Sequence, residues 1–369
     1  MNKRKMIKKT VKIPGSNWVI LFLLPLLLSL VGLIFVFEAS SVRGLTEVGD
    51  SFHYLKLQLQ WILLGVFCMA FFSYFNFRNL YYMAFPLMSI VIVLLVIVLI
   101  PTIGHQVGGA RSWINFGFFN VQPTEFAKFA TIIYLASWFS GTEKRRFLPF
   151  ISLLGFLMLL ILLQPDMGTA LIIFFLSITI YFIAGKELRY LFLLVPVSVV
   201  GFLFLIIAAP YRMRRLTAFL NPSEDPGGVG YHINQILISL SQGGIFGQGF
   251  GASRQKYLFL PEAHTDSIFA IYGEELGFIG SVLLIFLYTI FLYKIYQIYS
   301  MTSDRFARLL IGGIFAYFGF QIIINLGGMV NLMPLTGVTL PFISYGGSHI
   351  LISFALIGII MNIAKKAKR

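Results

Sequence analysis

Five ionisable side chains, Arg254, Lys256, Glu262, His264 and Asp266, fall between residues 254 and 266 of a chain in which only 11% of residues are charged. The segment Gly251-Ala-Ser-Arg-Gln-Lys-Tyr-Leu-Phe-Leu-Pro-Glu-Ala-His-Thr-Asp266 ends where a long apolar run begins. A carboxylate at that junction has two readings of equal weight by spacing. As a general base, Asp266 would take a proton from a lipid-bound substrate at the membrane surface. As a helix N-cap, it would satisfy backbone N–H groups left free at the start of the next helix. His264 reads as a solvated loop histidine.

Other charges lie where a bilayer should exclude them, and each costs free energy unless it is paired or wetted. Glu125 and Lys128 are three apart at the start of an expected helix, so they share a face and can pair. The pair is either structural or leaves Lys128 to meet an anionic ligand. Asp166, in Gln164-Pro-Asp-Met-Gly-Thr169, divides evenly between a helix cap and a functional group. Glu274 and Glu275 lie about 12 Å into the following span at about 1.5 Å rise per residue, and read as structural. Glu38 closes the first span and calls for no special role. The five histidines form no H-x-x-x-H or H-E-x-x-H pattern, so no protein metal site is expected. Mg²⁺ or another divalent cation bridging substrate phosphates stays open, because Mg²⁺ needs few protein ligands. The single cysteine, Cys68, excludes a disulfide framework. No G-x-x-x-x-G-K-[ST] occurs, and the glycine-rich run 243–251 follows no strand, so neither nucleotide fingerprint is present.

The elements that must position these groups are membrane helices. The chain is 58% hydrophobic, and several apolar runs approach the roughly 20 residues that cross a bilayer. Ten spans are expected, at about 18–38, 57–76, 79–101, 122–139, 147–163, 168–184, 189–209, 267–293, 306–330 and 342–364. The formal net charge of +14 is chiefly a topology signal, not a nucleic-acid footprint. With the N-terminus inside, nineteen of the 28 Lys and Arg residues fall in cytoplasmic segments. The expected fold is thus an all-α integral membrane protein of about ten transmembrane helices, with both termini cytoplasmic. A basic tail (1–17) precedes a single membrane domain (18–364), and a second basic tail (365–369) follows it. A large extracytoplasmic loop, 210–265, lies between the seventh and eighth helices. Within it, 231–244 has the spacing of an amphipathic helix, lying either on the outer interface or on the protein's own top. Segments 108–117 and 331–348, apolar but broken by Gly and Pro, are expected to dip inward and line a cavity, because irregular backbone at membrane depth must be covered.

Taken in order, the motifs resemble one family. They are Gly109-Ala-Arg-Ser-Trp-Ile114, Gln122-Pro-Thr-Glu-Phe-Ala-Lys128, Gln164-Pro-Asp-Met-Gly-Thr-Ala170 and Pro210-Tyr-Arg-Met-Arg-Arg-Leu-Thr-Ala-Phe-Leu-Asn-Pro222. Leu260-Pro-Glu-Ala-His-Thr-Asp266, Gly273-Glu-Glu-Leu-Gly-Phe-Ile-Gly280 and Pro341-Phe-Ile-Ser-Tyr-Gly-Gly-Ser348 complete the set. From about residue 17 onward the chain is similar to the SEDS family (FtsW, RodA and SpoVE). Tyr211–Arg215 and Ser253–Lys256 run most like the FtsW branch, with SpoVE close to it. Two positions depart from the common pattern: Ser267 stands where Phe is frequent, and Glu38 where Ser is.

The resemblance implies a ten-helix peptidoglycan glycosyltransferase that polymerises lipid II outside the bacterial cytoplasmic membrane, at the division septum. It implies a class B penicillin-binding protein and other division proteins as partners, membrane lipids around it and no nucleic acid. It moves Asp266 toward the catalytic base. It marks Glu125, Lys128, Asp166, Arg111 and Trp113 as functional, and Lys128, Arg111, Arg212 and Arg215 as candidate contacts for the substrate pyrophosphate, with His264 beside them. If Asp266 also sits at a helix N-terminus, the dipole would favour its ionised form and weaken it as a base. A lipid II flippase and a non-catalytic division scaffold are the alternatives. The clustering of intramembrane charges on the outer half favours the enzyme over the flippase.

Overall fold

A computed structural model describes residues 16–107, 109–115, 117, 119–141, 147–207, 209–222, 225 and 227–366. Most of the expected N-terminal tail, the basic cluster 144–146 and the last residues of the C-terminal tail lie outside the described residues. Among the described residues the chain forms twelve α-helices and one small sheet. Ten helices coincide with the ten expected spans: α1 (Ser16–Val48), α2 (His53–Tyr74), α3 (Phe77–Ile97), α4 (Pro123–Ser140), α5 (Phe147–Leu162), α6 (Met167–Ile183), α7 (Leu188–Ile207), α10 (Ile268–Met301), α11 (Arg305–Met329) and α12 (Gly347–Lys366). Six of them, α1 to α3 and α10 to α12, are long and apolar enough to cross a bilayer, while α5 and α6 are apolar but shorter. Two further helices, α8 (Pro210–Leu220) and α9 (Val229–Gly243), lie in the long loop.

Local signals place the boundaries. Asn76 and Asp304 cap α3 and α11, accepting from Arg78 N and Ala307 N at 3.2 and 3.0 Å, as short polar side chains do at N-caps. Pro123 opens α4, where its missing N–H costs nothing. The bundle is organised on α12, which is buried along almost its whole length. A helix apolar on all sides belongs in the centre of a bundle. Asn362 fastens α12 to the α2–α3 turn, donating to Ser73 O (2.9 Å) and accepting from Phe77 N (3.2 Å).

Two features depart from the expected pattern, and a third decides between two expected placements. Segment 104–121 is not an irregular dip but an antiparallel meander of β1 (Gly104–Val107), β2 (Ala110–Asn115) and β3 (Asn120–Val121). The ladder satisfies backbone groups that a bare loop would leave open. Helix α1 continues to Val48, ten residues past the expected end, which carries Glu38 into the protein. Helix α9 buries Ile233 and Ile236 and lies along α10, so the expected amphipathic helix rests on the protein itself. Its opposite face borders a shallow groove of about 550 Å³ lined by Tyr231, Asn234, Gln235, Leu237, Ile238 and Ser241.

The glycine-rich run 243–251 has a structural explanation. Helix α10 is broken at Gly277 (φ 68°, ψ −164°), a conformation that only glycine adopts readily. The break frees backbone groups, and the run pairs with them. Gln248 N and Gly249 N donate to Glu274 O and Glu275 O, and Phe278 N and Ile279 N donate to Gly244 O and Ile245 O. A Cβ on Gly247 would lie 2.1 Å from Glu275 O, so the approach itself requires glycine.

Candidate functional site

The loop 330–346 between α11 and α12 is the spine of the site. It runs into the protein, with Leu340, Phe342, Ile343 and Ser344 fully buried, and its backbone is held by side chains from distant elements. Gln58 donates to Ser344 O (3.1 Å) and Tyr288 to Pro341 O (2.6 Å). The expectation that 331–348 dips inward is met in that respect.

Asp266 sits one residue before the N-cap of α10, Ser267. The Asp266 side chain does not cap the helix. Thr265 Oγ1 lies 3.3 Å from Asp266 Oδ1 and 2.9 Å from Glu262 Oε2, so one hydroxyl stands between two carboxylates. Asn325 of α11 donates to both Asp266 O and Val338 O at 2.8 Å, clamping the backbone of the Asp266 loop to the spine. Gly337 faces the carboxylate, and a Cβ there would lie 3.8 Å from Asp266 Oδ2. Burial drives the Asp266 carboxyl up to about 7, the negative charge of Glu262 adds to this, and Arg215 works against it. The carboxyl is thus less acidic than an ordinary aspartate, not more: loss of water outweighs the hydrogen bonds from Thr265 and from its own backbone N–H.

His264 is buried, not solvated. Its ring lies 4.7 Å from that of Tyr54 and 5.4 Å from that of Tyr345, and its carbonyl accepts from Tyr345 N at 2.9 Å. Burial, with Arg43 nearby, lowers it to about 4, so it is neutral at physiological pH. It anchors the Asp266 loop to the spine.

The basic candidates divide into two groups. Around the α5–α6 turn, Arg111 N donates to Gln164 O at 3.1 Å and Arg212 Nη2 to Leu162 O at 3.3 Å. Asp166 accepts from Thr169 N at 3.0 Å and caps α6. The buried Arg212 side chain also donates from Nε to Tyr211 Oη at 2.9 Å. Trp113 is half-buried on β2, opposite His105 in the ladder. Arg215, half-buried, donates to Leu335 O of the spine at 3.2 Å and is the cation felt at Asp266. Gly168 packs on Thr336 and Val338, so the α5–α6 turn and Asp266 meet the same loop from two sides.

Glu125 and Lys128 form a second centre, buried among α4, α11 and α12. Lys128 Nζ lies 2.6 Å from Glu125 Oε1. His349 Nδ1 and Tyr317 Oη each lie 3.5 Å from Glu125 Oε2. Among the described residues no hydrogen bond or ion pair joins this centre to Asp266. On α11, Tyr317 stands eight residues from Asn325, about 12 Å at about 1.5 Å per residue.

Sequence reasoning passed over several members. His349 follows directly on the Pro341–Ser348 motif, a usable signal, whereas Tyr317 sits in an apolar run with none. Glu38, expected to be idle, pairs with Lys256 at 2.5 Å, and Glu275 lies 3.6 Å from the same ammonium. Glu274 accepts from Ser239 Oγ (3.0 Å), Ser253 Oγ (2.6 Å) and Arg254 N (3.0 Å). Among the described residues no group of three or more His, Cys, Asp or Glu side chains comes together to hold a metal.

A bundle of apolar helices, with a buried carboxylate on a loop at one end, defines a multi-pass membrane protein with an acid centre near the membrane surface. Residues 18–369 match the family described as cell cycle protein, the FtsW, RodA and SpoVE proteins, and the chain belongs to that family. It is 39% identical to stage V sporulation protein E of Bacillus subtilis (strain 168), covering 95% of this chain and 97% of that protein. It is 38% identical to the probable peptidoglycan glycosyltransferase FtsW of Trichlorobacter lovleyi, over 99% and 97% of the two chains. Among solved structures, a chain from a study of the structural coordination of polymerization and crosslinking by a peptidoglycan synthase complex superposes with a TM-score of 0.76. That chain is 28% identical, and the match covers 94% of this chain and 97% of the other. RodA of Thermus thermophilus superposes with a TM-score of 0.69 at 26% identity, over 95% and 97% of the two chains.

Proposed function

We propose that this protein is a peptidoglycan glycosyltransferase that polymerises lipid II, with Asp266 as its general base. The observation that carries the reading is the buried Asp266 carboxyl, held at about 7, in a chain related over its full length to proteins named peptidoglycan glycosyltransferases. A carboxylate of that basicity is matched to proton transfer at physiological pH.

The reaction joins the 4-hydroxyl of one sugar to the anomeric carbon of another. As the new C–O bond forms, the hydroxyl proton passes to Asp266 and the bond to the polyprenyl pyrophosphate breaks. A single displacement converts an α-linked donor into a β-linked product. Cations must meet the charge growing on the pyrophosphate. Arg215, whose charge is felt at Asp266, serves best there. Arg111, beside the α5–α6 turn, extends the same basic surface. Arg212 and Asp166, engaged with backbone, shape that turn, with Trp113 at its edge. Lys128 and Glu125 hold the bundle beneath. A divalent cation, if it takes part, is carried on the substrate phosphates, and no protein ligand is assigned to it.

The ten helices that match the expected spans cross the bacterial cytoplasmic membrane, with both termini inside and the 210–265 segment outside. The membrane domain spans 18–364. The class B penicillin-binding protein and the division septum belong to the same reading, supported by relatives named FtsW and by the likeness to a chain of a peptidoglycan synthase complex.

The test is polymerisation of lipid II by the purified full-length chain with its class B partner. Asp266→Asn, correctly inserted and folded, is expected to leave no more than about one part in 10² to 10⁴ of the wild-type rate. A wild-type rate would end the assignment.

A further inference from the structure

The loop that carries Asp266 is bounded by one imidazole. His232, in the first turn of α9, places Nε2 2.7 Å from Ser267 Oγ. The same ring faces the Pro261 carbonyl, so it spans the loop from its start to the residue after the carboxylate. A proline carbonyl can only accept. With the ring neutral, the nitrogen facing Pro261 carries the proton and Nε2 accepts from the Ser267 hydroxyl.

Two further observations make this contact more than packing. Ser267 is the N-cap residue of α10, yet its side chain makes no cap hydrogen bond. Serine at an N-cap ordinarily turns its oxygen to the free N–H groups of the first turn; here the hydroxyl is used on His232 instead. Ser267 is fully buried, so the hydroxyl has no water to replace that partner, and losing the imidazole would leave it unpaired. His232 is itself fixed, because the same face of α9 docks on α10. Ser239 Oγ donates to Ala270 O at 3.0 Å, and a Cβ on Gly243 would lie 2.1 Å from Gly273 O.

We infer that His232 and Ser267 form a positioning pair that ties α9 to the Asp266 loop and holds the carboxyl in its buried, reactive place. The inference rests on Asp266 being the base. The charged groups acting on the two partners are Glu262 of the same loop and Arg215 of α8. Thr265, Asn325 and Gly337 complete the surroundings of the carboxylate. Loosening the loop would admit water to Asp266 and make it more acidic. The acid limb of the pH–rate profile would then move to lower pH, whereas simple loss of folded protein would lower the plateau and leave the limb in place.

The experiment is lipid II polymerisation across pH by the full-length chain with its class B partner. The variants are His232→Ala, Ser267→Ala, Ser267→Thr and the double His232→Ala/Ser267→Ala. Both alanine variants are expected to lower kcat about ten- to a hundredfold with KM little changed, since small displacements of a catalytic group cost that much. Both should shift the acid limb downward. Ser267→Thr, which keeps the hydroxyl, should restore both. The double variant should be no worse than either single one, because the two act through one bond. If Ser267→Ala does not fold, Ser267→Cys, with a weaker hydrogen-bonding group, carries the same expectation. An unmoved acid limb, a loss confined to KM, or Ser267→Thr as impaired as Ser267→Ala would overturn the pair. Asp266→Asn separates the two claims. If that variant polymerises normally, the base assignment fails. If it is dead while Ser267→Ala behaves as wild type, only the positioning pair fails.

Discussion

Asp266 and Glu125 are both buried carboxylates in an apolar protein, yet their surroundings are opposite. Glu125 has Lys128 at 2.6 Å, His349 and Tyr317 at 3.5 Å, and sits among three packed helices. Among the described residues Asp266 has no ion-pair partner; its carboxyl accepts from the shared Thr265 hydroxyl and from its own backbone N–H, while a second carboxylate, Glu262, lies on its own loop. A buried charge with its partner in place is a structural element, and removing the partner exposes its full desolvation cost. A buried carboxyl without a cation at bonding distance is a reservoir of basicity. The chain thus confines its paired acid to the bundle and keeps the acid that has no cation at bonding distance on a loop.

Exchanging the neutral and charged states at the two sites should break the symmetry most visibly. Asp266→Asn is expected to cost activity about 10² to 10⁴-fold while leaving the melting temperature equal to or above wild type, because the amide has no charge to desolvate. Lys128→Ala should do the reverse. It strands Glu125 and is expected to destabilise the protein by about 3–5 kcal/mol, read as a lowered unfolding midpoint in detergent, with activity lost only in proportion to unfolded protein. A stable but inactive Lys128→Ala would move Lys128 from the bundle into the chemistry.

A smaller effect tests the break in α10. Gly277→Ala forces a side chain into a left-handed conformation, with its Cβ 2.3 Å from Gly247 N. It is expected to cost about 1–3 kcal/mol and to loosen run 244–256, measured by faster proteolysis or hydrogen exchange there. Unchanged protection would show that the run does not depend on the break.

The contrast also marks how much could be read in advance. The positions of the apolar helices were legible because apolar runs near the length that crosses a bilayer stand out in the sequence, and the Glu125–Lys128 pair because three-residue spacing puts both on one helical face. The family resemblance singled out Asp266. What spacing could not supply was the balance of forces on it. The helix-dipole argument left out desolvation, the largest effect on the carboxyl, and the groups packed on this segment include Gly337 and Asn325, far away in the chain. Glu38 was passed over because its partner Lys256 is 218 residues distant. The sheet at 104–121 was hidden by its short strands and glycines, and the partnership of His232 with Ser267 by their separation of 35 positions. In each case the missing information was a tertiary contact, not a local preference.

The pH dependence of the rate separates the two acids in the unmodified protein. As the proposed base, Asp266 would act in its ionised form, and burial places its midpoint at about 7, above the ordinary aspartate range. At lower pH the ionised fraction falls, so the rate should drop about tenfold for each unit below the midpoint and level off above it. A base left at the ordinary aspartate value of about 3.9 would give a flat profile between pH 5 and 8. The measurement is the polymerisation rate at saturating lipid II, with folding checked at each pH. A flat profile would mean that substrate, on binding, supplies Asp266 with a cation that the protein alone does not. Since Arg215 already opposes the shift, Arg215→Met should move the limb further up in pH, and by less than the limb's own displacement from the ordinary value. That makes it the finest test of whether Arg215 acts on Asp266 or only on the spine carbonyl of Leu335.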